Sequence, residues 1–255
     1  MHALKTIALA TLILAPLTSH AVTLSDDFSL DIDLAAVSDY RSRGISQTLG
    51  DPAAQFGMTL LHSSGLYAGA WTSNVDFGKF IDEEGNEQSF KTRQEVDYYA
   101  GYFWQINDAI SLDLGYLKYT YPKEGQFNMS EVYATLEAYG AVLGVAYSND
   151  TENFYGKDQD TLYTYVGYKA TLPADVGLEL RYGRNDFKDA AFFSSDGGSR
   201  DSYREWEVKL SRDFIGVTWG LSYIDTDLSA SECTGWYGYD DLCNATVVAS
   251  ASKKF

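Results

Sequence analysis

The chain has 255 residues, a formal net charge of −17 and a sequence pI of about 4.4. This acidity argues against nucleic acid as a partner, because phosphate backbones are bound through basic surfaces. Hydrophobic residues make up 45%, which excludes a disordered chain, and a mean hydropathy of −0.24 excludes a bundle of membrane helices. Aromatic residues reach 15%, led by 20 Tyr, a composition typical of barrels whose rings lie at membrane interfaces.

The first 21 residues have the pattern of a secretory signal peptide. Lys5 precedes an almost wholly apolar segment from Thr6 to Leu17, and Ser19-His20-Ala21 matches a small-x-small cleavage site. The apolar segment is too short to span a membrane as a helix. We therefore expect export, with residues 1–21 removed and residues 22–255 forming a single domain.

Cys233 and Cys243 are the only cysteines. Export places them in an oxidising compartment, where a nearby pair favours a disulfide, with two free thiols as the alternative. Without a neighbouring His they offer too few ligands for zinc, so the sequence predicts neither a metal site nor a cofactor.

Apolar and polar residues alternate with a period of two along most of the chain after residue 27. A strand of about 12 residues tilted near 40° rises roughly 31 Å, enough to cross an apolar band of about 25 Å. The alternating segments are residues 28–40, 53–63, 65–76, 92–106, 109–121, 130–139, 141–149, 160–170, 176–182, 205–210, 215–223 and 245–255.

The connections between these twelve segments alternate between long and short. The long connections include residues 42–52 and 226–244. The short ones include the tight turns Asn107-Asp108 and Asp213-Phe214. An even number of strands with alternating long and short connections is typical of an up-and-down barrel and is not expected for a Greek-key sandwich. We therefore predict an all-β, 12-stranded antiparallel up-and-down transmembrane β-barrel of the bacterial outer membrane, with apolar faces toward lipid and polar faces toward the lumen.

Strand parity assigns eleven acidic and five basic side chains to the lumen. Burying so many charges without water costs several kcal/mol each unless they are paired, so one expectation is a hydrated acidic pore that favours cations. The alternative is an acid–base ladder that closes the lumen. The predicted pore-lining residues are Asp31, Asp33, Asp39, Arg41, Arg93, Glu95, Asp97, Asp113, Glu131, Glu137, Lys169, Glu179, Arg181, Glu205, Glu207 and Lys209.

Arg41 and Arg43 lie at the start of the first long loop. One interpretation makes them a pair that orients a carboxylate or phosphate solute. The favoured interpretation is that they pair with the neighbouring Asp39 and Asp51 and order the loop, because these acids are within easy reach.

Acidic residues also cluster in two long loops, at 82–87 and 225–241. They offer oxygen ligands for Ca²⁺ or Mg²⁺ beside lipopolysaccharide, but no known ligand spacing, and a solvated surface is the simpler interpretation. The apolar-face aromatics favour interfacial girdles over a platform for stacking sugars. They are Tyr40, Tyr98, Trp104, Tyr116, Tyr147, Tyr182 and Trp219.

An enzyme within the barrel is the rival class. After cleavage only His62 remains as a histidine, and the adjacent Ser63 and Ser64 point to opposite faces of a strand. General-base catalysis needs a positioned partner and a path for substrate, so we expect no enzymatic activity.

Several ordered motifs carry a family resemblance. The segments Ser38–Gln47 (SDYRSRGISQ), Gly50–Ala53 (GDPA), Gly65–Trp71 (GLYAGAW), Asn74–Phe77 (NVDF) and Asp97–Tyr102 (DYYAGY) resemble the TorF family of porin-like proteins from proteobacteria. The resemblance implies an outer-membrane barrel with a channel role, and it brings no established substrate and no catalytic residue.

The expected function is passive diffusion of small hydrophilic solutes, with a preference for cations. The alternative is a closed barrel with a structural or surface-binding role through its acidic loops. The expected partners are outer-membrane lipid and lipopolysaccharide, the barrel-assembly machinery, periplasmic chaperones and small solutes.

Overall fold

The computed structural model describes residues 21–81, 84–153 and 156–255. The predicted signal peptide lies outside these residues, apart from its last position, Ala21. Within the described ranges, no helix is long and apolar enough to cross a membrane.

The alternating segments form twelve antiparallel strands, each hydrogen-bonded to its neighbours in chain order. Pairing of the last strand with the first, from Ser250–Val37 to Lys254–Asp33, closes the sheet. The predicted 12-stranded up-and-down barrel is therefore confirmed. The strands are β1 (Phe28–Val37), β2 (Ala53–His62), β3 (Leu66–Asn74), β4 (Gln94–Asn107), β5 (Ile110–Thr120), β6 (Met129–Ala138), β7 (Ala141–Glu152), β8 (Asp158–Leu172), β9 (Val176–Phe187), β10 (Ser202–Phe214), β11 (Val217–Thr226) and β12 (Thr246–Lys254).

The two ends of the barrel differ in their connections. At the turn end, two-residue turns such as Tyr139-Gly140 and Ile215-Gly216 place both residues at positive φ, a geometry that matches the twist of the flanking strands. At the loop end, the long connections are loop 1 (residues 38–52), loop 2 (75–93), loop 3 (121–128), loop 4 (153–157), loop 5 (188–201) and loop 6 (227–245).

The outer face of the barrel is an apolar belt. Side chains of one parity project outward along every strand, and Tyr98, Trp104 and Trp219 are each more than half exposed. Soluble proteins do not leave so large an apolar surface in water, and a closed sheet leaves no unpaired backbone toward lipid. Tyr40, which we expected in this belt, is buried inside because β1 ends at Val37 rather than at residue 40.

Two apolar clusters cover the loop end. The loop-2 cluster contains Phe77, Phe90, Tyr121 and Phe127, with Phe127 5.2 Å from Phe77 and 5.3 Å from Phe90 between ring centroids. The loop-6 cluster joins loops 1, 5 and 6 through Ile45, Phe192, Trp236 and Leu242 with the two cysteines. Packing of these loops across the mouth separates the lumen from solvent at this end.

Loop 6 carries helix α1 (Ala230–Tyr237). Ser229 and Glu232 form a reciprocal capping box at its start, and Gly238 ends it in the left-handed conformation that glycine favours. Burial raises the pKa of Glu232, but hydrogen bonds from Ser229 and the Arg200 guanidinium outweigh burial and leave this pKa below its usual value. Stabilisation of loop 6 by this carboxylate is therefore lost as the pH falls through that lowered pKa.

The predicted disulfide is confirmed, because Cys233 in α1 is bonded to Cys243 at the end of loop 6. We expect the double variant Cys233→Ser/Cys243→Ser to keep its barrel and loosen loop 6, because closing a short loop stabilises by about 2–3 kcal/mol. Limited proteolysis should cleave loop 6 at least about tenfold faster in this variant. Equal cleavage rates in the variant and the oxidised wild type would contradict this expectation.

Candidate functional site in the barrel lumen

Loop 1 folds into the barrel instead of extending from it. Two short paired strands, Arg41–Ser42 and Ile45–Ser46, form a hairpin that turns at Arg43 and Gly44, both at positive φ. All of its residues from Asp39 to Thr48 except Arg41 are buried, and Gln47 and Thr48 are at most 1% exposed. We call Asp39–Thr48 the plug. Asp39 and Arg41, expected on the lumen face of the first strand, belong to this plug.

Asp39 organises the plug. Its carboxylate accepts hydrogen bonds from Arg41 Nε at 2.6 Å, Ser46 Oγ at 2.6 Å and Thr48 Oγ1 at 3.2 Å. The Arg41 guanidinium also donates to the carbonyls of Gly44 and Asn244 at 3.0 and 2.9 Å. Arg41 thus orders the loop and joins it to loop 6, the arrangement favoured from the sequence.

Arg43 reaches the strands that form the lumen wall. Its guanidinium donates to Glu131 Oε1 at 2.6 Å and to Asn185 Oδ1 at 3.2 Å, and its central carbon lies 4.2 Å from the centroid of the Tyr163 ring. The Arg43 carbonyl accepts from the Tyr203 hydroxyl at 3.1 Å. The side chains of Arg43 and Glu131 are 2% and 1% exposed, so their ion pair is shielded from solvent. Asp51, an expected partner, is not among these contacts.

Charge is distributed unevenly around the lumen. Strands β1 to β6 carry no Lys or Arg on their lumen faces, and the plug inserts Arg43 among their acids. Glu95 is held in this arc by the Tyr40 and Tyr121 hydroxyls, each at 3.1 Å. We call these acids the acidic arc; they are Asp31, Asp33, Glu95, Asp97, Asp113, Glu131 and Glu137.

Strands β8 to β10 form the opposite arc, where acids and bases pair. Arg181 lies 2.9 Å from both Glu205 and Glu207, and Lys209 lies 3.4 Å from Glu179. Lys169 reaches Glu137 of the acidic arc at 2.5 Å. The acid–base ladder considered from the sequence therefore occupies one side of the lumen.

A cavity of about 70 Å³ lies between the two arcs on the turn-end side of the plug. Asp113, Glu137, Lys169, Arg181 and Lys209 are among its lining residues. At roughly 10–15 Å³ for each water, this volume holds about five to seven waters. The predicted pore-lining residues thus contribute most of the charged wall of this space.

A layer of tyrosines that was not predicted from the sequence lies beside the cavity. A Cβ added at Gly115 would lie 2.5 Å from Tyr133 and one at Gly69 would lie 2.6 Å from Tyr99, so each ring lies flat against a glycine of the next strand. Tyr67 donates to Asp113 at 2.6 Å and contacts the Tyr133 hydroxyl. This layer has a sequence signal. Alternation along the strand directs each of these tyrosines to the lumen, and the strand register places a glycine of the neighbouring strand opposite it.

Two further residues lie away from the lumen. Arg93 precedes β4, donates to the carbonyls of Phe90 and Thr92 at 2.7 Å each, and lies 3.6 Å from Asp76. Its side chain is half-exposed at the mouth, in contrast to the expected lumen position, because the strand begins one residue later. His62 stacks edge-on against Phe28 at the turn end. Within the described ranges, no group of three or more His, Cys, Asp or Glu could hold a metal.

The closed barrel, its apolar belt and its charged lumen define a porin-like barrel of the bacterial outer membrane. The chain belongs to the Gcw_chp family, described as bacterial proteins of unknown function, whose model matches residues 21–255. The narrower TorF assignment stays a prediction. No curated relative matches the chain.

Solved porins share the fold at low sequence identity. The NanC porin matches with a TM-score of 0.51 and 10% identity, over 88% of this chain and 97% of that one. The KdgM porin in complex with disordered oligogalacturonate matches with a TM-score of 0.50 and 10% identity, over 88% and 99%. These likenesses concern the fold alone.

Proposed function

We propose that the protein is an outer-membrane channel for small hydrophilic solutes, closed by the plug in the conformation described. The observation that carries this proposal is the charged cavity on the turn-end side of the plug. An apolar filling would stabilise a purely structural barrel at least as well as buried ion pairs do, so charged side chains kept around a space for water support a role in solute passage. This function requires no catalytic residue.

The acidic arc supports a preference for cations. On strands β1 to β6 every charged lumen side chain is acidic, and Arg43 is the cation that the plug contributes to this arc. When the plug leaves, Arg43 leaves with it and the excess of negative charge in the lumen increases. A water-filled pathway along these acids would concentrate cations and exclude anions.

The second candidate function is a closed barrel that acts through its surface loops. It is favoured by the loop-2 and loop-6 clusters, which cover the mouth with packed aromatic rings. In that case the acidic residues of loop 6 would face an external partner, and the lumen charges would serve only to hold the plug.

Single-channel recording in a planar bilayer under a salt gradient tests the proposal. We expect the refolded protein to show infrequent openings whose reversal potential is shifted toward the equilibrium potential of the cation. A reversal potential on the anion side would overturn the cation preference. Silence from both the wild type and a barrel without its plug would establish the closed-barrel alternative.

The remaining partners belong to the same proposal. The apolar belt would contact outer-membrane lipid, and the long loops would face lipopolysaccharide, since the long loops of such barrels are extracellular. We further propose that periplasmic chaperones and the barrel-assembly machinery deliver the chain, because an exported barrel needs protection of its apolar strands before insertion.

A further inference from the structure

We propose that the plug occupies a binding site for an organic cation, and that Arg43 is its tethered occupant. This inference rests on the proposed channel function and names the solute class that the site would take. The class is a small molecule with a guanidinium group. Three chemically different contacts to one guanidinium carry the inference.

The receptor half of the site belongs to the barrel wall. Glu131 is on β6, Tyr163 on β8 and Asn185 on β9, and all three are at most 2% exposed. The Tyr119 hydroxyl donates to Glu131 Oε2 at 3.2 Å and so fixes the carboxylate. Because strands rather than the loop position these groups, the site persists when the plug leaves.

The contacts match the chemistry of a guanidinium. A carboxylate and an amide oxygen accept from different nitrogens of the group, while its central carbon lies over an aromatic ring, 4.2 Å from the centroid. A planar, delocalised cation satisfies all three contacts at once. A primary ammonium has no such plane, so this arrangement selects guanidinium compounds over simple amines.

Arg43 is an imperfect occupant of the site. Its backbone has a φ of 47°, in the left-handed region that non-glycine residues rarely adopt, and Gly44 follows at 86°. Among the residues that the structure describes, none accepts a hydrogen bond from the buried Nε of Arg43. A free guanidinium compound is not constrained by the loop, so it can take the same contacts without the backbone strain.

The consequence is a channel that is opened by its own solute. A guanidinium compound that reaches the site when the loops at the mouth open transiently would compete with Arg43 for Glu131, release the plug and open the pathway along the acidic arc. The plug acts as a tethered competitor at millimolar effective concentration, which sets the solute concentration needed for opening.

Agmatine is the probe, and Arg43→Ala is the variant that vacates the site. We expect low-millimolar agmatine to raise the unfolding temperature of folded Arg43→Ala barrel in detergent. The wild type should need at least about tenfold more agmatine for a comparable shift, because its own arginine competes. The controls are 1,4-diaminobutane, which has the charge and chain length of agmatine without its guanidinium, and KCl at matched ionic strength, and we expect smaller shifts from both.

The double variant Arg43→Ala/Glu131→Gln separates the site from general cation binding. We expect its response to agmatine to fall to its response to 1,4-diaminobutane. An equal response in the single and double variants, or no agmatine response in Arg43→Ala, would overturn the inference. Should Arg43→Ala fail to fold, judged by loss of heat-modifiable gel mobility, Arg43→Gln takes its place with the same expected results.

The binding measurement does not require conduction, so the two proposals can fail separately. An agmatine shift in a barrel that never conducts would refute the channel and leave the cation site in place. Conduction with no agmatine response would refute the cation site and leave the channel. If both hold, agmatine should also block the current through Arg43→Ala and fail to block it through the double variant.

Discussion

Deletion of the plug should raise the unit conductance of the barrel by about fivefold or more, since a 12-stranded barrel is wide enough to hold water once its lumen is cleared. The variant replaces Tyr40–Thr48 with a short Gly-Ser linker between Asp39 and Leu49. Every removed residue except Arg41 is buried among the lumen walls or under loop 6, so the deletion exchanges packed protein for solvent. Single-channel recording of the two proteins in the same bilayer measures the change.

The control for this deletion shortens the exposed turn Ser194–Gly198 of loop 5. This turn makes hydrogen bonds within itself and lies outside the plug, so its loss should leave the conductance unchanged. A plug deletion that conducts no better than this control would mean that other parts of the loops close the lumen. The loop-2 cluster would then be the next segment to remove.

Glu131→Gln should release the plug without unfolding the barrel. Removing one partner of a buried ion pair costs about 3–5 kcal/mol when the remaining charge must stay buried. Arg43 can avoid this cost, because loop 1 can carry its guanidinium out to solvent. We therefore expect hydrogen exchange of the plug amides to accelerate by about 100-fold or more, while the amides of β4 to β6 keep their protection.

Glu207→Gln is the matched control for Glu131→Gln. Glu207 is also a lumen carboxylate paired with an arginine, with its side chain 16% exposed, but Arg181 keeps its second partner, Glu205, at 2.9 Å. Its substitution should leave exchange in the plug unchanged. In the double variant Arg43→Gln/Glu131→Gln, no buried charge is left without a partner. Its conformation with the plug inserted should therefore be more stable than that of Glu131→Gln. Equal plug exchange in Glu131→Gln and the wild type would show that this ion pair does not hold the plug.

The barrel was predictable because its determinants are local. Period-two alternation fixes which side chains face lipid, and loop lengths fix the order of strands, so each of the twelve strands could be placed from the residues within it. The disulfide followed from export and proximity. Strand ends were less accurate: β1 stops at Val37, where Ser38 and Asp39 begin the plug, and β4 starts at Gln94, which leaves Arg93 at the mouth.

The plug was not predictable because its determinants are distant. Arg43 finds Glu131 and Asn185 at separations of 88 and 142 residues, and no local pattern reports such contacts. The lumen pairs show the same limit. Lys169 stands opposite Glu179 in the strand ladder, yet its ammonium binds Glu137 two strands away. Parity indicates which charges face inward, whereas their partners depend on how the barrel closes.

The distant contacts of Arg43 also constrain the order of folding. Tyr203, whose hydroxyl binds the Arg43 carbonyl, lies 160 residues further along the chain, and contacts of such separation form only after the intervening chain has been ordered. The hairpin at residues 41–46 therefore cannot insert into the lumen until strands β6 to β10 have assembled. A barrel that stalls before β8 leaves this segment exposed to periplasmic proteases. Insertion of the plug therefore follows assembly of the barrel wall that binds it.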